Sequence, residues 1–417
     1  MNKKILSFIL AASMAAACST AVSAGEQEGG IVVLYTNDIH CAVNEDEENQ
    51  VLGYARIAGL KKQLEAEGND VILADMGDAI QGDVIGTLSE GEYIIDIMDQ
   101  VGYDLAVPGN HEFDYGMDQF LSLAEKASFS YLSCNFKDLT SGEPVFEPYE
   151  MMEAGGKTIA FIGICTPKTI TSSTPKYFQN EDGEFIYGFE QDEDGTALYE
   201  CVQEAADSAR DEGADYVIAL SHLGIDASCT PWTSSEVIEN TSGIDVFLDG
   251  HSHSVIEGET VKNKDGENVL LTSTGTKLSS VGELTIAEDG TFSSALISGG
   301  MEADPETEAY INDINTEFEG ILNEVVAETD VALVVNDPAT ADQEEPVRLV
   351  RTSETNLGDL CADAYRAVTG ADIGFCNGGG IRADIAAGDI TYSDIISVQP
   401  FGNEICMVEA TGQQILD

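Results

Sequence analysis

Seven short apolar runs pace the first three quarters of the chain, and each gives way to polar residues. They read IVVLYTND, DVILADMGD, YDLAVPGNHE, KTIAFIGIC, DYVIALSHLG, IDVFLDGHS and NVLLTSTG. Runs of this length, rich in Val, Ile and Leu, are what strands buried in a layered sheet look like. Acidic segments with helical patterning lie between several of them, as at residues 57–66 and 196–211. Alternating buried strands and helices predict an α/β layered fold. In open α/β sheets, ligands collect beyond the carboxyl ends of the strands. The residues that end the runs are therefore the first place to look for chemistry.

The chain has five histidines, and all five stand at such ends. His40 closes LYTNDIH, His111 lies in VPGNHEFDYG, His222 closes VIALSH, and His251 and His253 share DGHSH. Asp38 and Asp78 occupy equivalent positions in NDIH and ADMGD, and Asn110 precedes His111. A lone histidine beside a strand is usually structural. Five of five, each beside Asp, Asn or Gly, are better explained as one site. If the strands are parallel, their ends converge on one edge. Imidazole, carboxylate and amide oxygen suit zinc, manganese, cobalt, iron or magnesium.

The balance of 76 acidic against 18 basic residues gives a net charge of -58. Such a field repels polymeric nucleic acid and argues against a backbone-tracking binder. It also opposes small anions, so a phosphate site here needs bound cations or clustered arginines. Two divalent ions about 3.5–4 Å apart meet that need and can clamp a phosphoryl group. The acidic loops NEDEEN and EQDEDG read as solvated surface, and their spacing does not match an EF-hand. Nine cysteines contain no CxxC pair, so a zinc ribbon is unsupported and most read as small buried apolar residues.

A length of 417 residues predicts two domains. The first 24 residues have two lysines, an apolar stretch and a small-residue cleavage pattern ending at Ala24, which reads as a secretory signal peptide. Cys18 is an alternative lipid-attachment site. Nothing else is long and apolar enough to span a membrane. Helical periodicity at residues 306–326 predicts a helix leading out of the first domain. The second domain then opens with strand-like VALVV, continues into a helix at NLGDLCADAYRAV, and runs through ADIGFCNGGGIR and PFGN to the start of a helix at TGQQIL.

TNDIH, Gly77–Asp78, GNHEFD, SHLG and GHSH, in that order, resemble the calcineurin-like metallophosphoesterases. ETNLGDL, NGGGIR and PFGN resemble the C-terminal domain of secreted bacterial 5′-nucleotidases and UDP-sugar hydrolases. The resemblance covers nearly all of the mature chain. It implies a layered αββα metallophosphoesterase domain at residues 25–328, then an α/β substrate-binding domain at 329–417. That second domain is incomplete relative to the family: its second base-stacking aromatic and ribose-binding Asp have no counterpart here, so the chain reads as truncated. The resemblance places Asp38, His40 and His253 on one divalent ion, Asn110, His222 and His251 on another, and Asp78 on both. His111 would stabilise the transferring phosphate, oriented by Asp114. Arg348, Arg351, Asn377 and Arg382 would bind substrate through phosphate-matching guanidinium forks and a close-approach glycine turn. Phe401 and Asn403 would take the base. The implied activity is an exported 5′-nucleotidase, secreted, periplasmic or on the cell surface. UDP-sugar pyrophosphatase or 2′,3′-cyclic-nucleotide phosphodiesterase activity is the close alternative. A non-catalytic metal- or nucleotide-binding protein is the alternative of another class.

Overall fold

The computed structural model describes residues 30–340, 347–399 and 405–416. The signal segment with Cys18, and the two residues Phe401 and Asn403, lie outside them.

The expected strands form two six-stranded sheets. In the first, β1 (Ile31–Thr36), β2 (Asp70–Asp75), β3 (Leu105–Ala106) and β4 (Ser130–Tyr131) run parallel. A small ribbon pairs β5 (Lys137–Asp138) with a later strand, β8 (Tyr187–Gly188). The second sheet contains β6 (Tyr149–Ala154), β7 (Lys157–Cys165), β9 (Tyr216–His222), β10 (Val246–Leu248), β11 (Val255–Lys262) and β12 (Asn268–Thr274). Its strands β7, β9, β10 and β12 are parallel. The chain then returns to the first sheet, where β13 (Val281–Ile286) pairs antiparallel with β1 and β14 (Phe292–Ile297) with β13. Parallel pairing puts the carboxyl ends of β1, β2 and β3 on one edge, and likewise those of β7, β9, β10 and β12.

Side-chain alternation builds four layers. In β1, Ile31, Val33 and Tyr35 face the other sheet, while Val32 and Leu34 face helices. In β7, Ile159 and Phe161 meet the first sheet, and Ala160, Ile162 and Ile164 meet helices on the far side. Helices α1 (Tyr54–Ala66), α2 (Val84–Ser89), α3 (Glu92–Val101) and α4 (Met117–Lys126) supply the first outer layer. A short α5 (Thr169–Ser172) follows β7, and α6 (Thr196–Asp211) and α7 (Ser234–Asn240) cover the second sheet. The order helix, sheet, sheet, helix is the αββα arrangement. Because both faces of the central strands are buried, those strands read as unbroken apolar runs.

Helix α8 (Pro305–Leu322) packs back on α1 and α3 through Ile311 and Ile314. It ends earlier than its periodicity predicts. Val325 and Val326 belong instead to β15 (Val325–Thr329), which pairs with β16 (Gly388–Thr391). β-Branched residues favour that strand over one more helical turn. VALVV, read as the opening strand of the second domain, makes only an isolated bridge from Leu333 to Ile385. Helix α9 (Asn356–Thr369) forms where expected, capped by Thr355. The core here is small, built on Leu333, Leu357, Ile381, Ile385, Ile390 and Val398. Phe375 and Val408 are 75% and 86% exposed, so this part buries far less of its apolar surface than the two-sheet body. The eight described cysteines are free thiols; Cys134 and Cys165 are buried, whereas Cys376 is half-buried and Cys406 exposed. Among the described residues, no helix is long and apolar enough to cross a membrane.

Candidate metal centre

Each expected ligand sits just beyond a strand of the parallel core. Asp38 and His40 follow β1, Asp78 follows β2, Asn110 follows β3, His222 ends β9, and His251 and His253 follow β10. The structure gathers them into two groups whose ligand atoms lie within 4.8 Å of one another: Asp38, His40 and His253, and Asp78, His222 and His251. Asp78 stands between the groups, with Oδ2 3.2 Å from His222 Nε2 and 4.0 Å from His40 Nε2.

The backbone beneath these residues is unusual. Asp38, His40, Asp78, His251 and His253 all have φ between 48° and 72°. L-residues reach this left-handed region at a cost, and it persists only where surrounding contacts enforce it. Sharp left-handed turns bend the chain off the ends of β1, β2 and β10. Gly109 meets a related demand: a Cβ there would lie 2.3 Å from Asp78 Oδ1 and 2.7 Å from His222 Cε1.

Backbone carbonyls decide which ring nitrogen faces the centre. His40 Nδ1 is 2.9 Å from the Gln81 carbonyl, and His222 Nδ1 is 2.6 Å from that of Met76. A carbonyl can only accept, so both Nδ1 atoms carry a proton and both Nε2 atoms turn inward. Burial holds His40 below its ordinary pKa. Burial, then the neighbouring His222, brings His251 down to about 4, so at neutral pH it is an uncharged imidazole with a lone pair to offer. Burial also opposes charge on His222, but Asp78 outweighs it and raises His222 to about 10. The field at that ring favours a cation.

The donor set fits divalent ions on a direct structural test. Asn110 Oδ1 is buried and has no hydrogen-bond partner, and His222 Nε2, also buried, makes no well-formed hydrogen bond and faces only Asp78 Oδ2 at 3.2 Å. An orphaned buried acceptor is costly. Asn110 Oδ1, on an expected ligand, is accounted for if it faces a cation, and so is a His222 ring turned edge-on to the Asp78 carboxylate. His40 Nε2 and His253 Nε2, 3.1 Å apart, also turn two ring nitrogens towards one place.

His111 and Asp114 form a second unit. His111 Nδ1 is 2.6 Å from Asp114 Oδ2, and Ser173 Oγ, after α5, donates to Asp114 Oδ1 at 3.1 Å. Burial opposes charge on His111, but Asp114 and then Asp78 outweigh it and raise it to about 9. The loop is pinned from below by Phe113, which is fully buried and makes edge contacts with Phe120, Phe136, Phe178 and Phe189.

Three residues that the sequence reading assigned no role hold the edge together. Asn37 staples the two sheets: its Oδ1 accepts from Thr274 N and Oγ1, and its Nδ2 donates to Gly275 O and Asp38 Oδ2. Asp249 Oδ1 accepts from Ser221 Oγ, Leu223 N and Gly224 N, tying the His222 turn to the His251 turn. Glu112, 1% exposed, accepts from Asp78 N, Ala79 N and Gly109 N. Burial, reinforced by Asp78, pushes its carboxyl up to about 7.

Among the described residues, the expected substrate residues Arg348, Arg351, Asn377 and Arg382 form a cluster on the smaller core. Arg348 donates to the Ile381 carbonyl and Arg382 to that of Gly379, while Asn377 Oδ1 accepts from Gly379 N. Burial, then Arg382 and Arg351, lowers Arg348, so the three guanidiniums are close enough to repel. Gly378 allows this approach: a Cβ there would lie 2.2 Å from the Val350 carbonyl. Beside His40 opens a cleft of about 650 Å³ whose lining includes Glu45, Asp46, Glu47, Asp83 and Lys277. With four carboxylates against one lysine, its walls leave the attraction of phosphate to the centre and the arginines.

Comparisons with known proteins cover both parts of the chain. Residues 31–255 match the family model for calcineurin-like phosphoesterases, and residues 325–417 match that of the 5′-nucleotidase C-terminal domain. The chain is 29% identical to the trifunctional nucleotide phosphoesterase protein YfkN of Bacillus subtilis, over 92% of this chain and 27% of that protein. It therefore spans about a quarter of that relative. It is 27% identical to a 5′-nucleotidase of Vibrio parahaemolyticus, over 93% of this chain and 73% of that one. Among solved structures, the 5′-nucleotidase precursor of Thermus thermophilus superposes with a TM-score of 0.61 at 26% identity, covering 89% of this chain and 74% of that one.

Proposed function

The chain belongs to the calcineurin-like phosphoesterase family, and from that premise we propose that it is an exported, two-metal hydrolase releasing phosphate from nucleoside 5′-monophosphates. The observation that carries this reading is the gathering of Asp38, His40 and His253 and of Asp78, His222 and His251 into two ligand groups, beside the buried and unpartnered Asn110 Oδ1, at an edge where every histidine of the chain collects. Asp38, His40 and His253 would hold one ion, Asn110, His222 and His251 the other, and Asp78 would touch both. When bound, two divalent ions supply the positive charge and Lewis acidity that phosphoryl transfer needs in so acidic a protein.

The remaining steps belong to side chains. Asp114 accepts a hydrogen bond from His111 Nδ1–H and fixes the ring. With its pKa raised to about 9, His111 is protonated at neutral pH. Its Nε2–H can donate to a phosphate oxygen and then to the departing 5′-oxygen. Arg348, Arg351 and Arg382, with Asn377, would grip the anionic substrate, and Phe401 and Asn403 would contact the base. We place the catalytic part at residues 25–328 and the substrate-binding part from 329 onward, with β15 straddling that junction.

The test is phosphate release from AMP with manganese, zinc or cobalt supplied. His251→Ala should reduce release by about 100-fold or more, the scale of several kcal/mol of lost charge stabilisation. Unchanged release would sink the two-metal assignment. Since the Bacillus relative bears the name trifunctional nucleotide phosphoesterase, the panel should include UDP-glucose and 2′,3′-cyclic AMP. Sequencing the N-terminus of the exported protein would check for cleavage after Ala24.

A further inference from the structure

We propose that Glu112 is a positioning residue that shapes the metal centre before any ion arrives, by tying the turn that carries Asp78 to the turn that carries Asn110. The proposal rests on the two-metal reading above. Glu112 neighbours His111 in sequence but belongs to neither ligand group. Its oxygens are already engaged. Oε2 accepts from Asp78 N at 2.8 Å and from Gly109 N at 2.6 Å, and Oε1 accepts from Ala79 N at 2.8 Å. Two of these N–H groups lie beyond β2 and the third beyond β3. One buried carboxylate thus spans two strand-end turns.

The turn it holds is one that needs holding. Asp78 sits at φ 60°, a conformation that persists only when its surroundings over-determine it. Glu112 fixes the backbone of Asp78, and His111 N donates to Asp78 Oδ1 at 2.8 Å, fixing the side chain. Gly109, with no room for a Cβ beside Asp78, lets the second turn close on the first. Partners of this kind, which orient ligands without touching metal, typically contribute 10–100-fold in metal affinity.

Glutamine at this position has one acceptor oxygen and an NH2 group, so at least one of the three N–H donors loses its partner. Aspartate keeps both oxygens but is one methylene shorter. Calorimetric titration of the metal-free protein with Mn²⁺ should show Glu112→Gln binding about 10–100-fold more weakly, with Glu112→Asp in between. Hydrogen exchange in the metal-free protein should quicken at the amides of residues 78, 79 and 109 and not in β1 or β7. At saturating Mn²⁺, kcat on AMP should recover towards wild type with KM unchanged. Wild-type Mn²⁺ affinity in Glu112→Gln would overturn the proposal. So would exchange that quickens equally throughout the sheets, which would make Glu112 a general stabiliser of the fold. If the affinity and exchange results hold while the wild-type protein releases no phosphate from AMP, the catalytic reading fails and this one stands.

Discussion

At the scale of single residues, the ligands are held in conformations that their residue types do not prefer. His251 has φ 72°, where a Cβ is penalised and glycine is not. This separates the cost of the backbone from the loss of the ligand. His251→Ala and His251→Gly both remove the imidazole, but the glycine variant should be more stable by about 1 kcal/mol in metal-free protein. Urea unfolding in the presence of a chelator measures this, and an alanine variant as stable as the glycine one would show that the turn is unstrained. The strain was illegible in the sequence because Asp and His do not announce a left-handed turn as glycine does. The ligands themselves were legible, because a histidine at the end of an apolar run is rare and this chain places every histidine there. Glu112 and Asp249 stand within the same motifs and carry no sequence signal of their own. Their work is done through side-chain bonds to backbone N–H groups, which follow no periodicity.

At the scale of elements, legibility followed burial. β7 was readable end to end because both its faces are covered. β3 was not: YDLAVPGNHE yields a strand of only two residues, since Pro108 cannot donate to a ladder and Gly109 turns the chain into the site. The end of α8 is hidden in the sequence because a helical stripe and a following pair of valines look continuous in a short window. The turn bearing His111 shows how packing sets chemistry. Phe113 anchors it among four other phenylalanines, while the residues around it do the work. Phe113→Ala should cost about 3–5 kcal/mol of stability and should also lower phosphate release well below the melting temperature, because His111 and Asp114 lose their floor. A urea midpoint and an activity assay on the same sample check both. Full activity in a variant destabilised by that amount would separate the aromatic cluster from the site.

At the scale of the whole molecule, the centre is a joint between two sheets formed from distant parts of the chain. His251 N donates to Asp38 across 213 positions of sequence, and Thr274 meets Asn37 across 237. The joint has a consequence for timing. Neither ligand group exists until strands from both ends of this long stretch have paired, and contacts of such separation form late and slowly. A metal ion that binds only the finished edge stabilises the native state and leaves the folding barrier nearly untouched. At a concentration 100 times the dissociation constant, one such ion contributes about 2.7 kcal/mol, so stopped-flow experiments in urea should show unfolding slowed by about 100-fold while refolding changes by less than about twofold. Refolding accelerated in proportion would mean that the edge forms early, before the sheets that support it. On the expected outcome, the ion acts as a latch set last, determining how long the folded molecule endures rather than how quickly it is made.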